Sequence, residues 1–83
     1  MELQEKFADA QARSKKLPQQ GNNTLLDLYS LYKQSTEGDV SGSRPGMMDF
    51  KGVAKYNAWE SKKGKTKEQA MQEYIDLVNK LEG

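Results

Sequence analysis

The sequence contains no cysteine and no histidine. Without cysteine, the chain has no disulfide bond, no thiolate nucleophile and no thiolate ligand for zinc. Without histidine, it lacks the usual general base near neutral pH and the usual imidazole ligand for metals. We therefore expect no catalytic residues, no metal site and no cofactor, and an enzyme is the least favoured class of protein.

Long apolar stretches are also missing, because only 35% of the 83 residues are hydrophobic and 30% are charged. No run of about 18 apolar residues occurs, as a membrane-spanning helix would need. Residues 1–15 carry Glu2, Glu5 and Asp9 where a signal peptide would have a basic start and an apolar middle. A chain of this length supports one thin core. We expect a single domain over residues 1–83 that is monomeric, cytoplasmic and not integral to a membrane.

Charge is balanced overall, with a net charge of +1, but it is unevenly distributed. Residues 51–67 contain several lysines and Glu60 as the one acidic residue. This local excess favours an anionic partner. A general nucleic-acid binder is expected to be basic as a whole, so we expect no nucleic-acid partner.

Four helices are predicted from the apolar periodicity. Helix one has an apolar face that ends near Pro18, and helix two follows with Asn22, Asn23 or Thr24 as its cap. Helix three begins near Asp49 and runs to about residue 62. Helix four begins at Thr66, because Thr66-Lys67-Glu68-Gln69 has the spacing of a capping box, and it reaches the C-terminus.

The segment between the second and third helices is long and has no periodic pattern. Residues 37–49 are rich in Gly, Ser and Pro, which predicts an ordered loop. A loop of this length can cross one end of a bundle and let the helices on either side of it run in the same direction. The expected fold is an all-α, four-helix up-down-down-up bundle.

The candidate binding residues lie on helices two and three. Tyr29, Tyr32 and Lys33 are spaced i, i+3 and i+4, so they share one side of a helix. Lys51 and Lys55 repeat this basic spacing and are followed by Tyr56. Phenol rings beside ammonium groups suit a ligand that is both aromatic and anionic, such as a nucleotide. The simpler interpretation is that these are solvated side chains at the edge of the core.

The other large side chains are expected to pack in the interior. Tyr74 and Trp59 fall on the apolar faces of their helices, and Met47, Met48 and Met71 have no ligand-like spacing. Asp39 and Asp49 are candidates for capping or for pairing with Arg44.

Four stretches carry a resemblance to a known family. They are residues 29–39 (YSLYKQSTEGD), 44–52 (RPGMMDFKG), 54–59 (AKYNAW) and 70–75 (AMQEYI). In order and spacing they resemble the acyl-CoA-binding protein family over nearly the whole chain. The resemblance implies an up-down-down-up bundle that carries and buffers long-chain acyl-CoA without catalysing a reaction. It also implies transient contact with membranes or with enzymes that use acyl-CoA.

The resemblance also implies which residues touch the ligand. Tyr29, Lys33 and Lys55 correspond to residues that hold the adenine and the ribose 3′-phosphate. Two further tyrosines are implied to contact the ligand, Tyr32 and Tyr74. Three positions are implied to lie near the acyl chain: Phe7, Ala10 and Leu26. Lys15 and Lys51 are implied as second-ranked contacts.

The chain departs from the family pattern at three positions. Tyr56 stands where many members have tryptophan, Leu31 where several have a polar residue, and Val53 where lysine is common. The aromatic wall at position 56 is kept, and the surface is expected to be less polar at positions 31 and 53. These differences bear on affinity and on chain-length preference more than on the class of ligand.

Two other functions remain open from the residues alone. Helix two has two adjacent apolar stripes, which would suit a helical protein-interaction module that binds a partner helix and no small molecule. The basic segment 51–67 would suit weak binding to a polyanion, with a steep dependence on salt.

Overall fold

The structure is a computed structural model that describes residues 2–83. It contains four helices, α1 (Leu3–Ser14), α2 (Asn22–Glu37), α3 (Phe50–Glu60) and α4 (Lys67–Glu82). No strand occurs in the described residues. The prediction of an all-α fold is confirmed.

Two of the predicted helix starts carry the expected caps. The Asp49 carboxylate accepts a hydrogen bond from the Gly52 amide at 3.0 Å and so caps α3. At α4, the Thr66 hydroxyl accepts from the Gln69 amide and the Gln69 side chain accepts from the Thr66 amide, which completes the capping box. These side chains satisfy amides that a helix start leaves without partners.

Two other helix ends were predicted wrongly. α1 ends at Ser14 and not near Pro18, because the next amides bond three residues back, Lys16 to Arg13 and Leu17 to Ser14. This tighter pattern is common where a helix gives way to a turn. α2 begins directly at Asn22 with Gly21 at its cap position and has no side-chain cap. None of the three proposed residues therefore caps it.

α2 is the central helix of the bundle. Its backbone packs against α3 and α4, while α1 packs against α4. The packing of α3 and α4 against α2 accounts for most of its two apolar stripes without a partner protein, while Leu25 and Tyr32 remain exposed.

The helix directions follow from contacts between named positions. Leu25 near the start of α2 and Phe50 at the start of α3 line one pocket. Trp59, near the end of α3, bonds to Gly38 just after α2. These two helices are parallel, and the loop between them carries the chain back along the molecule. The up-down-down-up arrangement is confirmed.

The main core lies between α1, α2 and α4. Its buried residues are Phe7, Ala10, Leu31, Ala70, Tyr74, Ile75 and Val78. Burial of Tyr74 and partial burial of Met71 against this cluster agree with the sequence prediction. Leu31 was expected to change the surface, but it is 5% exposed and belongs to the core.

Packing was predicted wrongly for the residues before α3. Met47 and Met48 are 88% and 86% exposed, and Phe50, which fits the apolar period of its helix, is 76% exposed. They lie just before and at the start of α3, which in the described residues packs against α2 and not against α1 or α4. No helix in residues 2–83 has the length and apolar character needed to cross a membrane.

Candidate functional site

Two cation–π contacts join α2 to α3. Nζ of Lys55 lies 5.2 Å from the ring centroid of Tyr29, and Nζ of Lys33 lies 4.9 Å from that of Trp59. Tyr29 and Lys33 are one helical turn apart on α2, and so are Lys55 and Trp59 on α3. Each helix therefore contributes one cation and one ring. We call these four residues the cation–aromatic face.

Trp59 is the member of this face that sequence reasoning assigned to packing alone. Its side chain is buried, and Nε1 donates a hydrogen bond to the Gly38 carbonyl at 2.8 Å. The ring is thereby fixed beneath Lys33. The i, i+4 spacing of Trp59 with Lys55 was visible in the sequence and could have pointed to it.

Lys33 has a second partner, because its ammonium group donates to the carboxylate of Glu37 one turn later on α2. The hydrogen bond to Glu37 raises the pKa of Lys33 above its ordinary value, partly opposed by desolvation. Lys33 is therefore protonated at neutral pH and available to an anion that displaces Glu37. This ion pair was not among the contacts predicted from the sequence.

An open pocket of about 490 Å³ lies beside the face, between the first halves of α2 and α3. Its lining residues are Asn22, Leu25, Leu26, Phe50, Lys51, Ala54 and Lys55. The predicted residues Leu26, Lys51 and Lys55 thus meet around one apolar hollow. Lys55 belongs to both the pocket and the cation–aromatic face, so an apolar and a cationic surface adjoin.

A second group of candidate residues lies around Phe7 of α1. The rings of Phe7 and Tyr32 are stacked with centroids 6.3 Å apart, and Phe7 meets Tyr74 edge-on at 5.1 Å. The Tyr74 hydroxyl donates to the Ser14 hydroxyl at 3.1 Å. Tyr32 is the exposed member of this group, at 40%.

The two remaining candidates stand apart from the pocket. Ala10 is fully buried in the core and does not line the hollow. Lys15 is exposed in the turn after α1. Within residues 2–83, no side-chain hydrogen bond, ion pair or cation–π contact links Lys15 to the cation–aromatic face.

Of the two loop carboxylates, Asp49 caps α3 as predicted, whereas Asp39 has partners that were not predicted. One Asp39 oxygen accepts from the Gly64 amide and from Nε2 of Gln34, both at 2.9 Å, and these bonds lower the pKa of Asp39, the Gly64 bond most. Arg44 does not pair with Asp39 or Asp49, but bonds to Asn57 and to Glu60. Asp39 therefore ties the end of α2 to the turn before α4.

The fold and site define a small all-α bundle with an apolar pocket beside a cationic, aromatic face. The family model described as "Acyl CoA binding protein" matches residues 4–78. The chain belongs to the acyl-CoA-binding protein family.

Two relatives match over most of their length. The chain is 45% identical to an acyl-CoA-binding protein from Fritillaria agrestis, covering 98% of this chain and 94% of that protein. It is 47% identical to acyl-CoA-binding protein homolog 1 from Caenorhabditis elegans, covering 90% and 88%.

Solved structures match as well. The crystal structure of Oryza sativa acyl-CoA-binding protein 2 has a TM-score of 0.94 and 43% identity, covering 96% of this chain and 90% of that chain. The crystal structure of ACBP from Moniliophthora perniciosa has a TM-score of 0.87 and 40% identity, covering 98% and 80%.

Proposed function

We propose that this protein binds long-chain fatty acyl-CoA esters non-covalently and acts as an intracellular carrier and buffer for them. The observation that supports this most directly is that Lys55 belongs to both an apolar pocket and a cation–aromatic face. An acyl-CoA ester has an apolar tail joined to a polyanionic head that contains an aromatic base. One such molecule would satisfy both surfaces.

The pocket is the proposed place for the acyl chain. Leu25, Leu26 and Phe50 supply an apolar lining between α2 and α3. Burying a chain of about 16 carbons contributes on the order of 12 kcal/mol before ordering costs, at about 0.8 kcal/mol per methylene. This contribution would dominate the affinity.

The cation–aromatic face is the proposed place for the nucleotide. Lys33 and Lys55 would bind phosphate oxygens, each contributing about 1–3 kcal/mol, and the ring of Tyr29 would pack against the base. Because free fatty acids lack these phosphates, the face would select the CoA ester. Tyr32, Lys51 and Tyr74 are proposed as further contacts, and Phe7, Ala10 and Lys15 remain weaker candidates.

The proposal includes a single cytoplasmic, monomeric binding domain without catalytic activity. Residues 2–83 contain no cluster of acidic residues arranged to hold a metal ion. Incubation with palmitoyl-CoA followed by a free-thiol assay tests the absence of hydrolysis. Sedimentation velocity tests the monomer.

Calorimetric titration with palmitoyl-CoA, CoA and palmitate tests the binding function. We expect tight binding for palmitoyl-CoA alone and a loss of about tenfold or more for Lys55→Gln, equivalent to one charged hydrogen bond. Lys63→Gln, an exposed lysine in the turn after α3, is the matched control and should bind like the unsubstituted protein. Equal affinities for palmitate and palmitoyl-CoA would contradict the proposed role of the cationic face.

A further inference from the structure

A buried polar side chain lies next to the cation–aromatic face without belonging to it. Gln34 follows Lys33 on α2, and its side chain is fully buried. Its Nε2 donates to Oδ1 of Asp39 at 2.9 Å and to the Lys65 carbonyl at 2.8 Å. The same Asp39 oxygen accepts from the Gly64 amide at 2.9 Å. We call these two side chains and their two backbone partners the polar link.

The hydrogen bonds of the polar link converge on Asp39. Both side-chain bonds of Gln34 are donated by its nitrogen, and no donor within residues 2–83 pairs with its Oε1. One oxygen of Asp39 therefore receives two donors, one from the interior of α2 and one from the turn before α4. A carboxylate oxygen held from two parts of the chain has little freedom to move.

The polar link sets the direction of the Gly38 carbonyl. This carbonyl belongs to the planar peptide group that joins Gly38 to Asp39, so its position follows that of Asp39. Gly38 has a φ of 82°, which favours glycine, and its amide donates to the Gln34 carbonyl. The Gly38–Asp39 peptide is thus held by the end of α2 on one side and by the Asp39 carboxylate on the other.

The Gly38 carbonyl in turn anchors Trp59. It accepts the hydrogen bond from Nε1 of Trp59 at 2.8 Å, and the ring that it holds lies 4.9 Å from Nζ of Lys33. If the carbonyl turned away, the indole would lose this bond and the ring would no longer be fixed beneath the ammonium group. A continuous series of contacts therefore runs from Asp39 to Lys33.

We propose that Asp39, held by Gln34, is a positioning residue for the ammonium group of Lys33. It acts through the Gly38 carbonyl and the Trp59 ring. The inference rests on the proposed acyl-CoA function, in which Lys33 binds a phosphate oxygen. The part of the site that would bind the head group then depends on a carboxylate outside the cation–aromatic face.

The first test needs no ligand and uses the single tryptophan. The Trp59 indole gives one side-chain peak in a proton–nitrogen correlation spectrum, and its proton shift reports the bond to Gly38. Asp39→Ala should move this peak upfield, whereas Asp39→Asn should leave it in place because the amide oxygen can accept both bonds. Asp27→Ala is the matched control and should also leave the peak in place. Asp27 likewise joins α2 to the turn after α3, but through Lys62.

The second test is calorimetric titration with palmitoyl-CoA under conditions where circular dichroism shows each variant to be folded. Asp39→Ala should lose about fivefold in affinity, because the phosphate would meet a cation that is no longer held in place. Asp39→Asn should stay within about twofold, since it keeps the acceptor oxygen and removes the charge. Asp27→Ala should also stay within about twofold.

A double-mutant cycle identifies the cation through which Asp39 acts. In the Lys33→Gln background, Asp39→Ala should change the affinity by less than about twofold, because the ammonium group that it positions is gone. In the Lys55→Gln background, the loss of about fivefold should remain. Lys55 contacts Tyr29 and not Trp59, so it lies outside the series of contacts.

An unmoved indole peak in Asp39→Ala, or an equal loss of affinity in both lysine backgrounds, overturns the inference. Equal losses for Asp39→Asn and Asp39→Ala would assign the effect to the charge of Asp39 and also overturn it. Failure of the unsubstituted protein to bind palmitoyl-CoA would instead contradict the proposed function. The indole peak would still decide whether Asp39 positions Trp59.

Discussion

The ammonium group of Lys33 lies over the indole ring of Trp59, 4.9 Å from its centroid, and so joins the end of α2 to the end of α3. The ring is held from below by its hydrogen bond to the Gly38 carbonyl. A buried side chain that packing alone would explain thus also positions a cation of the candidate site.

Replacing Trp59 with phenylalanine tests this positioning role. Trp59→Phe keeps an aromatic ring but leaves the Gly38 carbonyl without its donor and weakens the cation–π contact. We expect a stability loss of about 1–3 kcal/mol in urea denaturation. We also expect a several-fold loss of palmitoyl-CoA affinity under conditions where the variant remains folded. Unchanged affinity would show that Trp59 is purely structural.

Two substitutions of Tyr29 distinguish the contribution of its ring to ligand affinity from that of its hydroxyl. Tyr29→Phe should cost less palmitoyl-CoA affinity than Tyr29→Ala, because the ring supplies both the packing surface and the contact with Lys55. Calorimetry of the two variants measures the difference. Equal losses would mean that the hydroxyl carries the contact.

Glu37 competes with any anion for Lys33, because the two side chains form an ion pair. Glu37→Gln should raise the affinity for palmitoyl-CoA at low salt by about twofold, the size expected from a surface pair one helical turn apart. The gain should shrink as ionic strength rises. A decrease in affinity would indicate that Glu37 orients Lys33 instead of competing for it.

Asp39 is expected to make the free energy of unfolding depend on pH in the acidic range. The pKa of Asp39 is lowered in the folded protein, chiefly by the hydrogen bond from the Gly64 amide. The ionised carboxylate therefore stabilises the folded protein fully above the unfolded-state pKa of 3.8, and this stabilisation is lost as the pH falls through the lower folded-state pKa. The free energy of unfolding of the unsubstituted protein should therefore fall below about pH 4 more steeply than that of Asp39→Asn. Parallel acid profiles for the two proteins would exclude this role.

Helix positions were predictable because they depend on local signals. The capping box at Thr66 and the aspartate before α3 act within four residues, so their sequence spacing determines their geometry. The parallel course of α2 and α3 followed from the length of the loop. The start of α2 was not predictable in the same way, because Asn22, Asn23 and Thr24 are equally suited to capping and the chain uses none of them.

The site was predictable only in part, because its contacts are between helices. The i, i+4 rule placed Tyr29 with Lys33, but the register between α2 and α3 decides that Lys55 meets Tyr29 and that Trp59 meets Lys33. The same limitation explains the methionines: their exposure depends on which helix ends lack a neighbour. No local pattern contains that information.

Within residues 2–83, the α3 backbone packs against α2 alone, whereas α4 packs against both α1 and α2. A helix with one neighbour opens by local fluctuation at a lower free energy than a helix held on two sides. Cargo lying across α2 and α3 would clamp the outer helix from a second direction. Ligand binding would then slow hydrogen exchange at the α3 amides and change exchange in α4 little. If the ligand binds between α2 and α3 as proposed, the helix that binding stabilises most is one with a single packing partner.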